Sequence, residues 1–244
     1  MAGRLYIRGF RIDHHAPEYE ESYLSTISAL RHLYDFTLHC PVTFFVGENG
    51  SGKSTVLEAL AVNFGFNPEG GSRNFSFSTS DTHSDLFKAM RVIRGADHPK
   101  DGFFLRAESF YNLASNIDEI GDPVFLQQYG GQSLHKQSHG ESFLSLMLHR
   151  FRGDGVYILD EPEAALSPTK LMTMLVRMKE LVNQQSQLII ATHSPMLMAF
   201  PNADIYVMSD GGIKKTRYED TEHYIVMSHF LANPQKMLHY LLDT

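Results

Sequence analysis

At 244 residues the chain suffices for one large domain or at most two small ones. With 43% hydrophobic and 20% charged residues it has an ordinary globular composition. A net charge of −7 excludes coating nucleic acid by bulk charge, though not a local basic groove. The lone cysteine, Cys40, excludes a disulfide framework and a thiolate metal cluster, and suits a reducing compartment. The apolar runs are too short to span a membrane, and the opening MAGRLYIRGFRI, interrupted by Arg4 and Arg8, lacks the continuous apolar stretch of a signal peptide. The expected location is cytoplasmic.

In chain order, LYIRGFRI (residues 5–12) reads as a strand, followed by a polar stretch with a short helix near residues 22–33. VTFFVG (42–47) is an apolar strand, and a Gly-rich turn leads from it into a helix over 54–64. Residues 65–84, rich in Gly, Ser and Asn, read as a loop or lid. A helix over 85–94 and a strand over 103–108 come next. The second half alternates helix 141–151, strand 156–160, helix 168–184, strand 188–192, a short helix and strand 204–209, and it ends in a helical tail broken at Pro234. Continuous apolar strands alternating with helices predict an α/β fold with a mostly parallel central sheet and helices on both faces. No internal repeat or heptad run is present.

GENGSGKS, residues 47–54, follows an apolar strand and opens a helix, the context a phosphate-binding loop needs. Gly47, Gly50 and Gly52 let the backbone wrap an anion closely, and free N–H groups at the helix start would cradle phosphates. Lys53 would reach the β and γ oxygens, and the Ser54 hydroxyl would bind Mg²⁺. The set expected to hold a nucleotide's phosphates is Gly47, Glu48, Asn49, Gly50, Ser51, Gly52, Lys53, Ser54 and Thr55.

VYILDEPE (156–163) puts two carboxylates where a buried strand emerges, at the edge where open α/β sheets bind ligands. Asp160 is placed to hold Mg²⁺, and Glu161 to activate the attacking water. ATHSP ends another apolar strand with His193 at its tip, either contacting the γ-phosphate or sharing a helix-capping turn with Ser194 and Pro195. In QSHGESFLSLML, Ser138 and Glu141 form a capping box. The same turn exposes the Ser138 hydroxyl and the N–H groups near Gly140 as an anion site, and the two readings are compatible.

These pieces in this order resemble the ABC-type ATPase superfamily, over roughly residues 5–209. GENGSGKST looks like Walker A, QSHGE the signature, YILDEP Walker B, EAALSP the D-loop and ATHSP the histidine switch. IRGFRI and the DEPE–ALSP wording are similar to the soluble branch, which includes small stand-alone AAA ATPases and chromosome-maintenance or repair ATPase heads. Three positions of the signature depart from the family, at Gln137, His139 and Glu141. No glutamine follows FFLRAE where the Q-loop residue is expected; Glu108 stands near that point.

The resemblance implies one ABC-type ATPase domain over residues 1–244. It would carry an insertion at about 65–150 holding the lid and signature, and a tail from about 221. It also implies ATP and Mg²⁺ as cofactors, hydrolysis to ADP and phosphate, and a head-to-tail homodimer with Ser138 and Gly140 of one protomer facing the other's ATP. A protein partner is implied too, with nucleic acid an option, in a DNA-repair or defence system. The alternatives are the nucleotide-binding subunit of an ABC transporter and a non-hydrolysing nucleotide-sensing scaffold.

Overall fold

The strands of this computed structural model, which describes residues 4–72, 84–120 and 126–242, are β1 (Ile7–Ile12), β2 (Asp35–Thr37), β3 (Val42–Val46), β4 (Met90–Arg94), β5 (Asp101–Arg106), β6 (Gly155–Asp160), β7 (Gln187–Ala191), β8 (Asp204–Ser209) and β9 (Gly212–Thr216). The longer helices are α1 (Lys53–Phe64), α2 (Phe110–Ile120), α3 (His139–His149), α4 (Pro168–Asn183), α5 (Glu222–Ala232) and α6 (Pro234–Leu242).

Every residue of β3, β6 and β7 is buried. A strand buried on both faces has to feed two cores, and here successive residues do so. Val156 and Ile158 of β6, and Ile189 and Ala191 of β7, join one core with α1 and the residues of β1 and β2. Tyr157 and Leu159, with Leu188 and Ile190, join the other with α2, α3 and α4. The period-two alternation is that of a pleated strand. Helices therefore cover both faces of a sheet ordered β5-β6-β7-β3-β8-β9, in which only the edge strand β9 is antiparallel to its neighbour.

A second sheet, β2-β1-β4, is antiparallel throughout. The buried amide of Gln187 joins it to the central sheet. Its Oε1 accepts from the N–H groups of Tyr6 and Ile7, both at 2.9 Å, and its Nε2 donates to the Ile7 carbonyl at 2.8 Å. This satisfies backbone groups that burial would otherwise leave unpaired.

Several sequence expectations need correction. Residues 85–94 do not form one helix: a single turn at Leu86–Ala89 gives way to β4, whose register on β1 (Phe10 opposite Val92) supplies the hydrogen bonds. The stretch 22–33 holds two 3₁₀ turns, Tyr23–Thr26 and Ser28–Leu30, the first capped by Ser22 Oγ on the Leu24 N–H at 3.2 Å. Strands β2 and β9 and helix α2 were not anticipated. Of the expected 65–84 loop, residues 73–83 lie outside the described residues. The C-terminal tail forms α5 and α6, with Thr221 and Asn233 capping their starts, and neither buries a side chain completely.

Candidate functional site

Because β3, β6 and β7 are parallel, their C-terminal ends fall on one edge of the sheet. The register makes them level, with Phe45 opposite Ala191 and Ala191 opposite Asp160. The loop after Val46, the acidic pair Asp160–Glu161 and the His193 turn thereby converge, although they come from distant parts of the chain.

The loop from Gly47 to Gly52 takes positive φ at each glycine of the motif: 148° at Gly47, 82° at Gly50 and 95° at Gly52. At Gly52 a Cβ would also come within 2.8 Å of Ile27 Cγ2. Other residues would strain this backbone, so the glycines are what curl it around an open centre. Glu48, Asn49 and Gly50 are exposed there. Lys53 folds back under the loop, 3% exposed, donating to the carbonyls of Gly47 at 2.8 Å and Glu48 at 2.9 Å. Burial pushes its amine below the ordinary lysine value, opposed by the charges of Glu161, Asp160 and Glu163.

Ser54, one residue along α1, donates from Oγ to Asp160 Oδ1 at 3.0 Å. Asp160 is 5% exposed, and burial lifts its carboxyl to about 6, against the pull of Arg106 and Ser54. A hydroxyl beside a carboxylate in a buried niche is a hard-oxygen pair of the kind that suits Mg²⁺. Thr55 follows, half-buried.

Glu161 sits at φ 51°, ψ 51°, in the left-handed region, which costs a non-glycine residue about 1–2 kcal/mol. Its N–H donates to the Ala191 carbonyl at 3.0 Å, and the one-turn helix Pro162–Ala165 begins directly after it. Its Oε1 lies 3.3 Å from His193 Nε2. The His193 N–H donates to Glu163 Oε1. Ser51 Oγ, Glu163 Oε2 and His193 Nε2 are buried without an aligned hydrogen-bond partner among the described residues. Of these, Ser51 Oγ and His193 Nε2 are able to donate, as a site for an anionic ligand requires, whereas Glu163 Oε2 can only accept when ionised. A cleft of about 890 Å³ opens over this edge, walled by Gly47–Asn49, Glu161 and His193 on one side and by His223, Val226 and Phe230 of α5 on the other.

Ser138 and Gly140 are not among the residues around that cleft. Ser138 makes the capping box: its N–H and its Oγ both donate to Glu141 Oε2, at 2.9 and 2.6 Å. Lys170 Nζ stands 3.4 Å from Ser138 Oγ, and a Cβ at Gly140 would meet the Ala165 carbonyl at 2.4 Å. The QSHGE turn thus packs on its own EAALSP segment.

Sequence reasoning missed Arg106. It ends β5 opposite Asp160 and is only 18% exposed, with Nη1 2.6 Å from Glu58 Oε2 and Nε 3.6 Å from Asp160 Oδ2. Glu108, the expected stand-in for the Q-loop residue, is 88% exposed, and its ion pair among the described residues is with Arg106, at 3.6 Å. The group facing Asp160 from this strand is a guanidinium. An arginine closing an apolar strand was the only signal available. His223 was missed as well, because nothing in the tail's sequence ties it to the sheet edge.

A family model described as an AAA domain matches residues 24–100, and one described as an AAA domain, putative AbiEii toxin, Type IV TA system, matches residues 127–199. The energy-coupling factor transporter ATP-binding protein EcfA1 of Fusobacterium nucleatum is 28% identical over 186 residues, 69% of each chain. The cobalt import ATP-binding protein CbiO of Salmonella typhimurium is 28% identical over 195 residues, 73% of this chain and 71% of its own. The solved structure of cbiO1 from Clostridium perfringens, part of the ABC transporter complex cbiONQ, covers 99% of this chain and 100% of its own, with a TM-score of 0.52 at 17% identity. That likeness shows the shared fold. No helix among the described residues is long and apolar enough to cross a membrane.

Proposed function

We propose that this chain, which belongs to the P-loop ABC/AAA ATPase superfamily, binds ATP with Mg²⁺ and hydrolyses it to ADP and phosphate. The observation that carries the reading is the convergence of Lys53, Ser54, Asp160, Glu161 and His193 on one sheet edge. The loop N–H groups from Gly47 to Thr55 and the start of α1 bind the phosphates, and Lys53, already turned under the loop, contributes positive charge. Mg²⁺, when bound, neutralises phosphate charge, and Ser54 and Asp160 are the residues that would hold it. Glu161 takes the proton of the attacking water, and its strained backbone, tied to Ala191, aims the carboxylate over the cleft. His193 orients Glu161 and the terminal phosphate.

We read the signature turn as acting in trans. Ser138 and Gly140 do not line the cleft over their own loop, so in this reading a head-to-tail homodimer brings them to the partner's nucleotide. Opening and closing of that dimer then acts on a protein partner in the cytoplasm, in a DNA-repair or defence setting; the family model over residues 127–199 favours the latter. A transporter subunit is the second reading, favoured by the similarity to EcfA1 and CbiO. Against it stands Arg106–Glu108 where the family's coupling glutamine is expected. A pull-down from the native host, scoring membrane subunits against nucleic-acid proteins, separates the two.

Glu161→Gln tests the enzyme reading itself. The amide keeps the shape and removes the base, so ATP should bind and persist, and an ATP-dependent dimer should appear by size-exclusion chromatography with light scattering. Turnover at the wild-type rate would move the base elsewhere.

A further inference from the structure

His223, the second residue of α5, belongs to none of the sequence motifs that meet at this edge. Its Nε2 lies 3.2 Å from His193 Nδ1, and the two rings are tilted at 54° with centroids 5.4 Å apart. Two imidazoles meeting nitrogen to nitrogen share one proton, so one donates and the other accepts. Which does so decides what His193 presents at its other nitrogen, since the hydrogen bond at one ring nitrogen sets the state of the other.

If His193 donated from Nδ1, its neutral ring would turn a bare Nε2 lone pair toward Glu161 Oε1, 3.3 Å away, and toward any phosphate oxygen in the cleft. Both are acceptors, so that arrangement is repulsive. If His223 donates from Nε2, His193 carries its proton on Nε2, facing those acceptors. Nε2 is buried and makes no aligned hydrogen bond among the described residues, which leaves that proton for a ligand. Burial and the neighbouring His193 hold His223 below the ordinary histidine value, with Lys53 adding to this and Glu222 opposing it, which favours a neutral ring with a single N–H.

We propose that His223 is a positioning residue for hydrolysis: it donates from Nε2 to His193 Nδ1 and so keeps the His193 proton on Nε2, turned toward Glu161 and the terminal phosphate. The proposal rests on the reading of His193 given above. It makes α5 part of the catalytic edge, although the helix buries no side chain completely. The capping bond from the Tyr224 N–H to Thr221 Oγ1, at 3.3 Å, fixes the helix start on which His223 rides.

The test uses the full chain labelled with ¹⁵N-histidine, with His193→Ala and His223→Ala spectra assigning the signals. Two-bond proton–nitrogen correlations should show His193 protonated at Nε2 in the wild type. In His223→Ala both tautomers should appear, and single-turnover ATP hydrolysis should slow by roughly tenfold, as for other partners that orient a functional histidine, while the KM for ATP stays within about twofold. His223→Gln, whose amide can donate from a similar reach, should restore tautomer and rate. His229→Ala, exposed on the same helix, should leave both unchanged. An Nδ1 proton on His193 in the wild type overturns the proposal even if His223→Ala fails to fold. So does a His223→Gln chain as slow as His223→Ala. A slow His193→Ala beside an unimpaired His223→Ala removes the role of His223 alone. A His193→Ala chain as fast as wild type removes the reading of the site beneath it.

Discussion

Ser54 Oγ donates a 3.0 Å hydrogen bond to Asp160 Oδ1 across 106 residues of sequence. The two meet because β3, which leads into the phosphate loop, and β6, which ends in Asp160, are separated only by β7 and run parallel to level ends. Each atom of this pair is one a bound Mg²⁺ would use, so the hydrogen bond and metal ligation compete for the same oxygens.

Asp160 makes that competition depend on pH. Its folded-state value of about 6 lies above the ordinary 3.8 because burial penalises the charge. Its contribution to folding stability is therefore fully present below about 3.8 and is lost as pH rises through about 6, an effect of roughly 2–3 kcal/mol. In metal-free urea titrations, wild type should gain stability relative to Asp160→Asn as pH falls from 8 to 4. Mg²⁺ needs the carboxylate, so Mg²⁺-dependent ATP affinity should weaken by about fivefold from pH 6 to 5. A stability difference that stays flat from pH 8 to 4 would show that Asp160 is not protonated in this range.

Lys53→Ala removes the ammonium from beneath the loop and leaves neutral donors only. ATP affinity should fall between about 10- and 100-fold, the scale of a charge-assisted hydrogen bond. Isothermal calorimetry reads this directly, and wild-type affinity in the variant would reject the phosphate-loop assignment.

Arg106 is the cation between Glu58 and Asp160, both almost wholly buried. Arg106→Met leaves two buried carboxylates uncompensated and should cost about 3 kcal/mol in urea unfolding at pH 8. The loss should shrink at pH 5, where Asp160 takes up a proton. An equal loss at both pH values would mean that packing of the side chain, and not its charge, is what matters.

The trans role of the signature is tested by mixing Ser138→Arg with Lys53→Ala. Each homodimer has two defective sites, whereas the mixed dimer has one site with an intact loop from one chain and an intact signature from the other. ATPase activity should partly recover on mixing. If Ser138 only caps α3, Ser138→Arg alone should keep its chemistry and lose about 1 kcal/mol of stability. Demonstrated subunit exchange with no recovery, even in single turnover, would leave the capping role as the better account.

Much of this site is local in the chain and was legible there. A glycine-spaced loop after an apolar strand, two acids closing another and a histidine closing a third are patterns of fewer than ten residues each. Their strand and helix context follows from hydrophobic runs that depend on nearby residues alone, which is why β3, β6, β7, α1 and α4 lie close to where their runs predict them. The tertiary structure decided what lies beside what. Met90–Arg94 is a strand because β1 offers it a hydrogen-bonding edge, not because its own side chains demand one. Arg106 became the companion of Asp160 through a register set by β5 on β6, and His223 reached His193 only because α5 packs as a wall of the cleft. Such pairings depend on contacts between residues far apart in the chain, made by side chains that carry no mark of their partner, and the packing of both cores on the sheet selects them.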